Sequence, residues 1–286
     1  MREPRVSDLK EEVSQYWQDN PCGACFSNRP EGSLEWSEEI EENRYAQEPF
    51  VHGFAQFTRW SGKRVLEIGC GAGTDCLQFA RAGADTYAVD LTERSVEITR
   101  KRLALNGLSA NVRRGDAEAL PHEDNLFDLV YSWGVLHHTP NTEGAIAEVC
   151  RVLKPGGRIV IMLYHRRSFI AWRLYLHYGL RAGRPLRKLT DILAKHMESA
   201  GTKAYTFPEL REMFSQFGNL VLQPVLTPYD VERFPEWSRS WFPAACGWFV
   251  VIRGCKPVLG EDTDWLMQSS CGPLMEQGDP RICGPR

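Results

Sequence analysis

The sequence predicts an α/β fold, doubly wound and Rossmann-like, with a helical cap before the sheet and a helical insert after its fifth strand. Three observations carry this. From Lys63 onward, short apolar runs of strand length alternate with stretches of helical spacing, the pattern of parallel strands joined by crossover helices. The first of these runs ends in Gly69, Gly71 and Gly73, directly ahead of a helix. Before Lys63, and again after His165, the strands drop out and helical spacing remains.

In chain order, Asp8 and Glu11 form a capping pattern around Leu9, Val13, Tyr16 and Trp17, which share a helical face until Asn20 and Pro21 stop it. "LEWSEEIEENRYAQ" reads as a second helix, and Phe50, Phe54 and Phe57 mark a third. "RVLEIG" is the first strand, "TDCLQFARAG" a helix and "DTYAVD" the second strand. A helix then runs from near Thr92 to Asn106 and Gly107. "NVRRGD" and "FDLVYSW" are strands three and four. The next helix places Ala145, Ile146, Val149, Val152 and Leu153 on one face, ends at "KPGG", and leads into "RIVIMLY", strand five.

An insert follows over 165–203; its first part, 165–190, holds seven Arg or Lys and no acid, interleaved with Phe169, Trp172, Tyr175 and Tyr178. Thr206 and Glu209 form a capping box for a helix closed by Gly218. "LVLQPVL" and "GWFVVIR" are the last two strands. The expected divisions are a helical cap over 1–62, the sheet domain over 63–256, and a tail over 257–286 whose Gly, Pro and acidic content predicts mobility.

The 286 residues suffice for a full core, and 43% hydrophobic with 25% charged residues is ordinary for a soluble globular protein. A net charge of −3 gives no general affinity for nucleic acid. The charged opening "MREPRVSDLKEEV" is no secretory leader, and "RIVIMLY" and "GWFVVI" are too short to cross a bilayer. A cytoplasmic location is expected, with the nine cysteines as reduced thiols. Cys22 and Cys25, in "NPCGACF", lack a second pair for zinc and do not sit at a helix start beside a βαβ unit. They read as a loop at the entry to a pocket, with no metal site.

The chemistry falls on "VLEIGCGAGTD", Val65 to Asp75. Glycines there let the chain turn sharply and let a ligand approach bare peptide beside a helix N-terminus. The turn lacks the Lys-Ser/Thr ending of a P-loop, and its G-x-G-x-G spacing differs from the pyrophosphate fingerprint. Asp90 ends the second strand 21 residues after Gly69, where an acid accepts ribose hydroxyls. These residues suit a nucleoside without a pyrophosphate, and S-adenosylmethionine fits.

With "AVDLT", "GDAEALP", "FDLVYSWGVLHHTPN" and "RVLKPGGRIVIM", the run resembles the class I S-adenosylmethionine-dependent methyltransferases, within them the type 11 small-molecule group. The resemblance implies a seven-stranded sheet with an antiparallel last strand, and methyl transfer that leaves S-adenosylhomocysteine. It further implies that Glu67, Gly69, Gly71 and Gly73 hold the methionine part and that Asp90 holds the ribose. Leu91, Asp116 and Ala117 would meet the adenine, Ser132 and Trp133 would border the sulfonium, and Tyr45 would close over the methionine end.

Displacement at a methyl sulfonium needs alignment of the reactants more than acid–base chemistry. If a base acts, His137 and His138, beyond the carboxyl end of strand four, are the candidates. The resemblance implies that His137 faces the acceptor and that His138 packs against the fold. The expected acceptor is a small molecule or lipid-like metabolite, and the basic insert is expected to cover it or to rest on an anionic surface such as a membrane. The alternatives are a non-catalytic cofactor-binding module and an RNA or protein methyltransferase, the latter disfavoured by the charge.

Overall fold

A computed structural model describes residues 6–258 except Arg233, Pro235 and Ser240. Most of the tail predicted over 257–286 lies outside the described residues. Seven strands form one sheet: β1 (Arg64–Ile68), β2 (Asp85–Asp90), β3 (Asn111–Arg114), β4 (Phe127–Trp133), β5 (Leu153–Tyr164), β6 (Gly218–Val225) and β7 (Phe249–Cys255). Their order is β3-β2-β1-β4-β5-β7-β6; β1 to β5 pair in parallel, and β7 runs antiparallel to both its neighbours. The antiparallel last strand is as expected.

The two-residue period of the strands separates two cores. Leu66, Ile68, Val130, Ile159 and Ile161 face one side, where Ile146, Val149, Leu210 and Phe214 pack on them. Val65, Leu129, Tyr131, Val160 and Met162 face the other, against Val51, Trp60, Phe79, Ile170 and Leu193. Helices α4 (Thr74–Arg81), α5 (Glu93–Leu105), α6 (Thr142–Val152) and α9 (Phe207–Met213) lie between consecutive strands.

The N-terminal segment forms α1 (Val6–Asp19), α2 (Leu34–Gln47) and α3 (Val51–Ala55), the second matching its sequence bounds. Helix α2 buries Trp36 and Ile40 against Ala72 and Ile98, so the cap shares core with the sheet domain. The insert supplies α7 (Phe169–Tyr175), a wide turn over Leu176–Leu180, and α8 (Leu189–His196).

Three local readings are corrected. Gly218 does not close the helix after Thr206: that helix ends at Met213 with Phe214 as its cap, and Gly218 begins β6. Leu153 does not continue the face of α6: with φ −77° and ψ 135° it is extended and begins β5. Between β6 and β7 the sequence reading left no structure, yet Thr227 and Asp230 cap α10 (Pro228–Val231), and α11 (Glu236–Arg239) follows. Both helices are four residues long, too short for a periodic signal.

Candidate active site

The order of strands reverses between β1 and β4, and the carboxyl ends there open a crevice, the usual ligand position in such sheets. A cleft of about 830 Å³, its mouth included, occupies this place. Gly69, Gly71, Asp90, Leu91, Asp116, Ala117, Trp133 and His138 line it, so eight predicted residues converge. Tyr45, Glu67, Gly73, Ser132 and His137 do not line it.

Asp90 organises the floor. Its Oδ2 accepts the Gly71 N–H at 3.0 Å, and its Oδ1 accepts both the N–H and the hydroxyl of Thr92, at 3.0 and 2.9 Å. Thr92 in turn caps α5. Each carboxylate oxygen can accept about two bonds, so Oδ1 is filled and Oδ2 keeps capacity for a ligand hydroxyl. Burial pushes this carboxyl above its usual range, and the donors from Thr92 and Gly71 pull the other way.

The glycine turn is less bare than expected. A Cβ on Gly71 would stand 2.9 Å from the Cys22 carbonyl oxygen, and one on Gly73 would stand 2.7 Å from Thr99 Oγ1. The Ala72 N–H donates to the Cys22 carbonyl at 2.9 Å, so the "NPCGACF" loop sits on the turn. Gly73 therefore serves the packing of α4 on α5. Cys22 has open surface, yet that surface faces the cleft. Burial pushes its thiol up to about 11, with Arg44 opposing and Glu48, Glu198 and Asp90 adding to it. A thiol protonated at neutral pH is a wall and no nucleophile. Among the described residues no group of three or more His, Cys, Asp or Glu could hold a metal.

Behind the turn lies a polar hub. Buried Asp75 accepts the hydroxyls of Tyr45 at 2.8 Å and Tyr131 at 2.7 Å, and pairs with Arg44 at 3.2 Å. Tyr45 thus spends its hydroxyl joining α2 to α4, and its ring packs on His52 at 4.2 Å instead of covering the cleft. Arg44 also pairs with Glu48, which accepts the Trp133 indole N–H at 2.8 Å. Glu67 is buried with its Oε2 unpartnered, and burial, then Asp75 and Asp90, push its carboxyl well up against the pull of Arg44. Ser132 is fully buried and donates to the Ile68 carbonyl at 3.1 Å, behind the cleft wall.

The histidine assignment is reversed. Leu136–His138 closes one 3-10 turn, with the His138 N–H on the Val135 carbonyl at 2.9 Å, so adjacent side chains diverge by roughly a third of a turn. His138 borders the cleft, its Nδ1 within 2.9 Å of Ser199 Oγ and 3.0 Å of Thr202 Oγ1. His137 is sealed behind it, its ring 3.8 Å from that of Tyr164 and both nitrogens without partners. Burial, then Lys203, pull the His138 imidazole down to about 3, and His137 falls in the same direction. Such an imidazole is a poor proton acceptor near neutrality.

Several residues escaped the sequence reading. Lys10, Val13 and Trp17, at helical spacing on α1, roof the cleft. Lys10 Nζ reaches both Asp116 Oδ2 and Glu118 Oε2 at 2.7 Å, closing the roof onto the loop after β3. Arg102 is fully buried and donates to Ser37 Oγ, the Ser37 carbonyl, the Ala72 carbonyl and Thr74 Oγ1. One signal was legible: a cation on the buried face of α5 that also carries Val96, Thr99 and Leu103.

The family profile described as "Methyltransferase domain" (Methyltransf_11) matches residues 66–161. The matched stretch, similar to the methyltransferase domains of this family, holds the glycine turn, Asp90, the 116–118 loop and the His137–His138 turn. The chain is similar to the demethylmenaquinone methyltransferase of Tropheryma whipplei (strain Twist), 32% identical over 162 residues, 55% of this chain and 66% of the relative. It is also similar to the phthiotriol/phenolphthiotriol dimycocerosates methyltransferase 1 of Mycobacterium ulcerans (strain Agy99), 37% identical over 143 residues, 49% of this chain and 50% of the relative. The matched stretch thus spans half to two thirds of these relatives. Among solved structures, geranyl diphosphate C-methyltransferase of Streptomyces coelicolor A3(2) shares the fold with a TM-score of 0.58 at 14% identity, over 87% of this chain and 98% of that one.

Proposed function

We propose that the protein transfers a methyl group from S-adenosylmethionine to a small-molecule or lipid-like acceptor. The observation that carries this is the Asp90 carboxylate, placed by Gly71 and Thr92 at the floor of the cleft with acceptor capacity to spare. The donor set fits that group. Asp90 Oδ2 would take a ribose hydroxyl, Leu91 and Ala117 offer an apolar slot for the base, and Asp116 offers a carboxylate to its amino edge. Glu67 stands buried behind the turn and does not line the cleft, so the methionine end is left to the peptide groups of Gly69 and Gly71. S-adenosylmethionine would bring a methyl group already activated on a sulfonium.

The protein's own part is alignment and exclusion of water. Trp133, fixed through its indole N–H by Glu48, borders the reacting end. The roof of Lys10, Val13 and Trp17 shields the cleft from solvent. Well-aligned reactants gain on the order of 7–11 kcal/mol, so no strong base is required of the histidines. A cytoplasmic site and an amphipathic acceptor belong to the same reading, in keeping with the free thiols at Cys22 and Cys25 and with relatives named for quinone and phthiotriol methylation. Contact of the basic insert with an anionic surface belongs to it as well.

Incubation of the protein with methyl-deuterated S-adenosylmethionine and a cell extract that includes lipids, followed by mass spectrometry, tests the activity. A labelled acceptor with matching release of S-adenosylhomocysteine is expected. Tight cofactor binding with no labelled product in any fraction would instead establish a non-catalytic binding module.

A further inference from the structure

The insert and the segment before β7, far apart in sequence, meet on one face of the molecule. The Phe169 ring of α7 packs edge-on against Phe242 at 5.1 Å, and Phe234 lies 4.5 Å from Phe242. These two segments together carry seven of the eleven large apolar side chains exposed among the described residues, too many for chance scatter over a soluble surface. Trp172, Leu176 and Leu180 repeat every four residues, a single stripe along α7 and its wide turn. Leu186 is 97% exposed at the tip of the next turn, and Trp237 and Trp241, 68% and 73% exposed, pair edge-to-face at 5.1 Å.

Cations border the stripe. Arg181, Arg184 and Lys188 are exposed and form no ion pair with a described residue. In sequence, the segment before β7 carries Asp230, Glu232 and Glu236 against Arg233 and Arg239, whereas 165–190 holds seven cations and no acid, so the positive charge is concentrated at the insert. Exposed Trp and Leu flanked by unpaired Arg and Lys match the depth profile of a bilayer interface, where indoles lie at the headgroups and cations meet lipid phosphate. No helix among the described residues is long and apolar enough to cross a membrane.

We propose that this two-part face docks the protein on a bilayer containing anionic lipid, with Trp172, Leu176, Leu180, Leu186, Trp237 and Trp241 entering the interface and Arg181, Arg184 and Lys188 meeting headgroup phosphates. The docking rests on the proposed function only for its purpose, which is to present an amphipathic acceptor to the cleft; the surface itself is independent of the chemistry.

Co-sedimentation of the full chain with vesicles of phosphatidylcholine alone, or of phosphatidylcholine with phosphatidylglycerol, tests it. Strong binding is expected only to the anionic vesicles, weakening as salt is raised. Trp237→Ser with Trp241→Ser, and separately Arg181→Glu with Arg184→Glu, are expected to reduce it about tenfold or more. All four positions are on the surface, and far-ultraviolet circular dichroism verifies folding of each variant. Equal binding of parent and variants, or no binding of the parent, overturns the proposal. So does a concentration-dependent dimer abolished by the tryptophan pair, since a second copy would then cover the face. Calorimetry with S-adenosylhomocysteine in the absence of vesicles reports separately on the cofactor, so the two readings fail independently.

Discussion

A buried imidazole held without a proton makes a fold sensitive to acid. His138 titrates at about 3 in the folded chain against an ordinary value of 6.5. Between these values the unfolded chain binds a proton that the folded chain does not. Stability is therefore complete above pH 6.5 and falls as the solution is acidified, by roughly 1.4 kcal/mol per pH unit for one such group. His137 acts in the same sense. The melting temperature is expected to drop steadily from pH 6.5 to 5, before most carboxylates titrate, and His138→Asn should flatten that slope. An unchanged slope in the variant would mean that His138 is not held neutral. The pair was legible in the sequence as the residues beyond β4. Which one meets the cleft was not, because that depends on the sense of a single 3-10 turn and on Ser199 and Thr202, more than sixty positions away.

At the scale of elements, strands were the most readable feature. β2 and β4 have the bounds read from "DTYAVD" and "FDLVYSW", since buried parallel strands are continuous apolar runs closed by polar turns. The joints between elements were hidden. Arg102 binds α5 to α2 and to the glycine turn by four hydrogen bonds in a fully buried setting. Burial pulls its guanidinium down to about 10, still charged at neutral pH. Arg102→Met would leave the acceptors on Ser37, Ala72 and Thr74 unsatisfied, and a loss of about 3 kcal/mol in chemical denaturation is expected. Arg102→Lys keeps the charge but loses the planar fork, and an intermediate loss is expected. A change below about 0.5 kcal/mol for Arg102→Met would contradict the tie. Buried ionic joints of this kind leave no periodic trace; only a charge out of place on an apolar face marks them.

Across the whole molecule, the ordered motifs of residues 66–161 placed the cleft correctly, because the sheet topology alone fixes where its crevice opens. Its roof was invisible in the sequence: α1 and the Cys22 loop reach the glycine turn and the 116–118 loop through contacts about fifty to a hundred residues apart, and nothing local encodes them. The account stands on Asp90 as the group that grips the nucleoside. Titration calorimetry of S-adenosylhomocysteine into the parent, Asp90→Ala and Thr92→Val tests this directly. Thr92→Val removes the α5 cap and one bond to the same carboxylate, so it reproduces the scaffold damage while sparing the acceptor. Asp90→Ala is expected to bind roughly ten- to a hundredfold more weakly, the worth of a charged hydrogen bond, with Thr92→Val close to the parent. Full affinity in Asp90→Ala, or no binding by the parent, would contradict the account.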